Sequence, residues 1–243
     1  MGSTRLPGKV LADVCGKPML LWQVERIRKC RLVDQVVIAT TVSEGDNKIE
    51  KFCLEQGIDY YRGHEGDVLK RVTSLVRDIK VDLHVELCGD TPLIDPQIID
   101  EFVGYYIKNK KNLDFLSSAP KTTYPPGFEV TVYPKQILLE VDNLIGRNDP
   151  MREHVGYNIT RFPERFRLHI LEAPEWLTAP EIYLEVDTSE DLDLIRKIVG
   201  NFKSRKQEHF GLSEILNFLK DYPSLAKKNA DIKRRWKSLY SNV

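Results

Sequence analysis

QVVIATTVSEGDNKIEKFCLEQGIDYYR, residues 35–62, reads as a strand, a helix and a second strand. The run at 35–41 is apolar and β-branched, as a strand covered on both faces must be. Apolar residues return at helical spacing over 47–56, and Gly57 ends that helix. Residues 58–62 form the next short strand. A strand–helix–strand order of this kind implies a mostly parallel sheet with helices on both faces, an α/β fold.

The same alternation continues outward. DVLKRVTSLVR (67–77) is a helix and HVELC (84–88) a strand. Asp95-Pro96 opens another helix, because Asp caps well and Pro fits the first helical position. Strands follow at 115–119 and 129–133, separated by the turn Tyr124-Pro125-Pro126-Gly127, and again at 166–172. A helix at 188–199 begins with a capping box, Thr188 with Asp191, and ends at Gly200. Segments 213–220 and 224–239 read as C-terminal helices. The basic residues there, Lys227, Lys228, Lys233, Arg234, Arg235 and Lys237, read as a solvated helix face rather than a lipid or partner contact.

With 243 residues the chain is long enough to bury a sizeable core. Its apolar fraction of 42%, charged fraction of 30% and zero net charge exclude a disordered chain and give no global attraction to nucleic acid. No apolar run is long enough to span a bilayer. Cys15, Cys30, Cys53 and Cys88 form no CxxC pair and have no His at metal spacing, so they read as packed thiols of a cytoplasmic protein.

Three short stretches carry chemistry. Gly2-Ser3-Thr4-Arg5-Leu6-Pro7-Gly8-Lys9 combines glycines, hydroxyls and two cations in one loop, which suits phosphate. It does not have Walker spacing, and its bland alternative is a solvated turn. Cys88-Gly89-Asp90-Thr91-Pro92 puts Asp90 just beyond a strand, where open α/β sheets bind ligands. A carboxylate there can hold Mg²⁺ against a triphosphate. Glu185-Val186-Asp187-Thr188 puts Asp187 in a like position. Either aspartate alone would read as a turn residue; together with a basic loop they are the parts that nucleotidyl transfer needs.

These stretches resemble the signatures of the cytidylyltransferases that make CMP-activated sugar acids, such as the CMP-Kdo and CMP-neuraminate synthetases. The matching segments are MGSTRLPGKVLADVCGKPML, the ATT of 39–41, RGHEGDVLKR, CGDTPLID, PPGFEVTVY, REHVGYNI and EVDTSEDLDLIR. The nearest branch is that of spore-coat polysaccharide biosynthesis protein F. The resemblance covers about residues 1–225 and implies a GT-A-like, Rossmann-type nucleotidyltransferase fold. The chain is read as a nucleotidyltransferase domain over 1–200 with a C-terminal helical extension over 201–243, and the resemblance implies a homodimer. Arg5 and Lys9 then match the triphosphate clamp, with Gly2, Ser3 and Thr4 beside it. Asp90 and Asp187 match the metal carboxylates. Arg62 and Asp67 fall near base and ribose, and Arg152, Glu153 and His154 face the sugar. His154 has a competing reading as a helix-packing residue.

The sequence departs from the family pattern in two places. Thr41 stands where several relatives have Asp. Relatives also carry an apolar strand before the glycine loop, so the sheet is expected to lack its first strand in this chain, with roughly ten apolar residues encoded upstream.

The implied reaction is attack by a sugar hydroxyl on the α-phosphate of CTP, with Mg²⁺ as cofactor and pyrophosphate released. The rivals are a GT-A glycosyltransferase, disfavoured because CGDTP lacks a DxD pair, and an inactive relative that serves as a binding subunit.

Overall fold

Gly8 turns the chain out of its first loop. Its φ of 73° lies in the left-handed region that glycine tolerates, and it caps a single 3-10 turn at Lys9–Leu11. The computed structural model describes residues 1–207 and 209–234. β1 (Asp13–Val14) and β2 (Lys17–Pro18) then pair antiparallel and lead into α1 (Met19–Ile27). The deciding stretch folds as read. β3 (Val37–Thr41) and β4 (Asp59–Gly63) pair in parallel, joined by α2 (Asn47–Gln56), which Gly57 ends at φ 57°.

Asp67 caps α3 (Val68–Asp78) by accepting from the Lys70 amide at 2.8 Å. β5 (Leu83–Glu86) precedes α4 (Pro96–Asn109), capped by Asp95. Next come β6 (Phe115–Ser117), β7 (Thr131–Pro134), α5 (Lys135–Leu144), α6 (Tyr157–Thr160) and β8 (Leu168–Ile170). The chain continues through α7 (Ser189–Ser204), α8 (Leu212–Asp221) and α9 (Pro223–Ala226).

The α/β class stands, with mixed strand directions. One sheet has the order β5-β7-β6-β8; β6 and β8 are parallel, while β7 runs antiparallel to both its neighbours. The Pro-rich turn allows this, since it brings the chain straight back from β6 without a crossover helix. Among the described residues β3 bonds only to β4, and β5 only to β7. Their other edges border one cavity of about 1110 Å³, lined by residues 33–40 and 79–91 among others. No strand among the described residues bonds to either edge.

Three expectations at the C-terminal end are corrected. Gly200 does not end α7, which runs on to Ser204. A mid-helix glycine costs only about 1 kcal/mol, and the extra turn buries Phe202 against Phe210, with ring centroids 4.2 Å apart. The helix read over 224–239 is instead the single turn of α9 followed by further turns; residues 235–239, with Arg235 and Lys237, lie outside the described residues. Nor is the basic stretch wholly solvated, since Arg234 is buried.

The last helices share the main core. Phe102 of α4, Val132 of β7, Ile198 of α7 and Ile215 of α8 belong to one buried cluster. Asp95 ties them further: one carboxylate oxygen caps α4, and the other accepts the Leu212 amide at the start of α8, 2.8 Å away. A second cluster lies between α3 and α5, and a third between α1 and α2. Among the described residues no helix is long and apolar enough to cross a membrane.

Candidate active site

The glycine loop, the segment after β5 and the segment before α7 meet at one point. The Lys9 ammonium lies 2.8 Å from Asp90 Oδ2, 3.0 Å from Asp187 Oδ1 and 2.7 Å from the Val186 carbonyl. Arg5 Nη2 lies 2.5 Å from Asp187 Oδ2. Burial alone would lower the Lys9 pKa, but Asp90 and Asp187 together outweigh it and hold the ammonium above its ordinary value of 10.5.

Backbone contacts fix the two carboxylates. The Val186 amide donates to the Asp90 carbonyl at 2.9 Å, joining the two segments. Gln23, buried on α1, donates to the Cys88 carbonyl at 2.6 Å and to Thr91 Oγ1 at 2.8 Å. On the other side, Asp191 Oδ2 accepts the amides of Asp187 and Thr188 at 2.9 and 2.8 Å, within the expected capping box.

Asp90, Asp187, Arg5 and Lys9 are thus brought together as expected. Ser3 accepts the Leu6 amide at 3.3 Å and shapes the same loop, while Gly2 and Thr4 are exposed on it. Among the described residues no set of three or more His, Cys, Asp or Glu forms a metal cage. Two carboxylates around one cation position still fit Mg²⁺, which takes few protein ligands and fills its shell with water and phosphate oxygens.

Other expected residues lie elsewhere. Arg62 is bound to protein: it donates to the Thr41 and Ser43 carbonyls and pairs with Glu50 at 2.5 Å. Asp67 and Arg152, expected near the ribose and the sugar, pair with each other at 2.7 Å. Arg152 is only 2% exposed and also reaches Asp142 at 2.5 Å. Burial would raise the Asp67 carboxyl, but Arg152 and the Lys70 amide keep it below its ordinary value. Arg152 is therefore a strut beneath Glu153 and His154, which do line the cavity. Burial lowers the His154 pKa, so at neutral pH its imidazole is uncharged.

Two glutamates escaped the sequence reading. Glu86 and Glu129 line the cavity near Asp90. Burial raises the Glu129 carboxyl to about 7, although the Gly127 amide, 2.7 Å away, pulls it down. Burial also raises Glu86, opposed by the Tyr133 hydroxyl at 2.5 Å and the Gly156 amide at 3.2 Å. The signal was present in both runs, FEVTV and HVELC: a carboxylate amid residues that are otherwise apolar or β-branched needs a reason to be there.

The same architecture occurs in solved structures. A cytidylyltransferase from Leptospira borgpetersenii matches with a TM-score of 0.86 and 28% identity, over 96% of this chain and 95% of that one. A CMP:2-keto-3-deoxy-manno-octonic acid synthetase complexed with CTP shares the fold at a TM-score of 0.61 and 19% identity, over 82% of this chain and 95% of its own. The fold is that of the nucleotidyltransferases. Sequence likeness narrows this. The cytidylyltransferase family model matches residues 1–222. Spore coat polysaccharide biosynthesis protein SpsF of Bacillus subtilis is 31% identical over 236 residues, 95% of each chain. The 3-deoxy-manno-octulosonate cytidylyltransferase of Geobacter sulfurreducens is 36% identical over 107 residues, 44% of this chain and 42% of its own. The chain belongs to the cytidylyltransferase family, whose members are nucleotidyltransferase enzymes.

Proposed function

We propose that this enzyme transfers CMP from CTP to a sugar acid, with release of pyrophosphate, for surface polysaccharide or glycan synthesis. The observation that carries the reading is the convergence of Lys9 and Arg5 on Asp90 and Asp187 beside a deep cavity. Two carboxylates that can hold a metal ion, with two side-chain cations beside them, are what a triphosphate requires.

In this reading Asp90 and Asp187 hold Mg²⁺, which when bound neutralises phosphate oxygens and favours ionisation of the attacking hydroxyl. Lys9 and Arg5 then turn from the carboxylates to the leaving phosphates, where negative charge develops. Gly2, Ser3 and Thr4 supply loop donors to the same group. Across the cavity, neutral His154 accepts a sugar hydroxyl, and Glu153 flanks it. Arg152 keeps that wall in place from beneath. The protein's contribution is mainly positioning and charge.

The partly matching octulosonate cytidylyltransferases support a sugar acid as acceptor. Free, unpaired cysteines fit a cytoplasmic site of action, and the working unit is proposed to be a homodimer. The test is a screen of nucleoside triphosphates against sugar acids, read as pyrophosphate release. CTP with a 2-keto sugar acid should give the highest rate. Binding of CTP without turnover on any acceptor would replace this reading with that of a binding subunit.

A further inference from the structure

Beyond α9 the chain folds back toward the catalytic loops. Asn229, fully buried, donates to the Tyr183 carbonyl at 3.0 Å and to Asp191 Oδ1 at 2.7 Å. The Arg234 side chain has no exposed surface. Its two terminal nitrogens reach both oxygens of Asp191, at 2.7 and 3.1 Å, and its guanidinium lies over the Tyr183 ring at 4.5 Å. Glu185 lies 3.6 Å from it.

Asp191 faces two ways. While it receives Arg234 and Asn229, its Oδ2 also accepts the amides of Asp187 and Thr188. The residue before Arg234 touches the other half of the site, since the Lys233 carbonyl accepts from Arg5 Nη1 at 3.3 Å. One C-terminal strap therefore reaches the clamp directly and the metal carboxylate through a single intermediary.

We propose that Arg234 is a positioning residue of the reaction: through Asp191 it sets the backbone of Asp187, and the strap it anchors sets Arg5. The inference rests on the reading of Asp187 as a metal carboxylate and Arg5 as part of the clamp. A bidentate arginine on a buried carboxylate fixes direction as well as distance, which lysine cannot reproduce. Without it, Asp191 can rotate, and the amides it holds lose a fixed acceptor. A displacement of about 1 Å in a catalytic group is enough to slow chemistry roughly a hundredfold.

The experiment compares Arg234→Lys and Arg234→Met in the full chain, alone and with Asp187→Asn. The readouts are melting temperature and the Mg²⁺ concentration giving half-maximal pyrophosphate release from CTP. The proposal expects Arg234→Met to raise the Mg²⁺ requirement at least about tenfold and to lower kcat at saturating CTP. Arg234→Lys, which keeps the charge and the fold, should raise the requirement by less. Added methylguanidinium should restore part of the loss in Arg234→Met. In the Asp187→Asn background neither change should raise the Mg²⁺ requirement further, and only the part transmitted through Arg5 should still lower the residual rate. A lower melting temperature with an unchanged Mg²⁺ requirement in both variants would overturn the proposal and leave Arg234 a purely structural residue. Full activity in Asp187→Asn alone would instead overturn the underlying reading of Asp187.

Discussion

Lys9 Nζ lies 2.8 Å from Asp90 Oδ2, and this one contact joins the glycine loop to the carboxyl end of β5. Removing the ammonium while keeping the bulk separates its role in catalysis from its role in packing. Lys9→Met should lower kcat/KM for CTP by about 10²–10³-fold, the usual loss when one charge-stabilising donor is removed. Lys17→Met should do far less, because half-exposed Lys17 pairs with Glu25 at 2.8 Å, away from the carboxylates. Steady-state kinetics of the two variants, side by side, check this. The Lys9 pKa is raised on folding, so its contribution to stability is complete below the unfolded value of 10.5 and is lost only as pH rises through the higher folded value. Thermal melts between pH 7 and 9 should show no fall due to Lys9.

Arg152 is the second test. Replacing it by Met leaves Asp67 and Asp142 without their shared buried partner, and such a loss costs about 3–5 kcal/mol. Urea unfolding should show the loss directly. Folding depresses the Asp67 pKa below 3.8, so this carboxylate stabilises the fold above that pH and ceases to do so as pH falls through its lower folded value. The deficit of Arg152→Met relative to the unaltered chain should therefore be full near neutral pH and shrink as pH falls below 3.8.

Glu129 works in the opposite sense. Its carboxyl is raised on folding from 4.5 to about 7. The folded state binds that proton more tightly, so Glu129 lowers stability as pH rises from 4.5 through 7. Glu129→Gln should flatten this part of the profile and melt higher than wild type at pH 8. Melting curves across pH 4–8 decide it, and parallel profiles for the two proteins would show that folding does not raise the Glu129 carboxyl.

The two strand edges beside the cavity give a fourth prediction. Backbone amides of β3 and β5 that point away from β4 and β7 have no strand partner among the described residues. They should exchange with deuterium faster than the amides of β6, which lies between β7 and β8. Equal protection in mass-spectrometric or NMR exchange would mean that the edges are covered.

How much of this was legible in the sequence depends on range. The β3–α2–β4 unit, its Gly57 stop and the Asp95 and Thr188 caps were readable because each rests on neighbours a few residues away. Asp90 and Asp187 were readable because strand ends are where such folds bind ligands. Arg152 was placed at the sugar, since nothing local reveals that Asp67, 85 residues earlier, would take up its guanidinium. Arg234 looked like one of several solvated cations for the same reason: its partner Asp191 lies 43 residues away. Gly200 misled because a local breaker lost to the burial of Phe202, a tertiary effect.

The central claim is that Asp90 and Asp187 hold the metal at which CTP is cleaved. Its most direct test is Mg²⁺-dependent pyrophosphate release from CTP by the unaltered chain, by Asp90→Asn and by Asp187→Asn, with melting temperatures measured on the same samples. Asparagine keeps the shape of each side chain and an oxygen that can accept from Lys9, and removes only the charge. Both variants should melt close to the unaltered chain and lose activity by about two orders of magnitude or more. Activity equal to that of the unaltered chain in both would contradict the assignment.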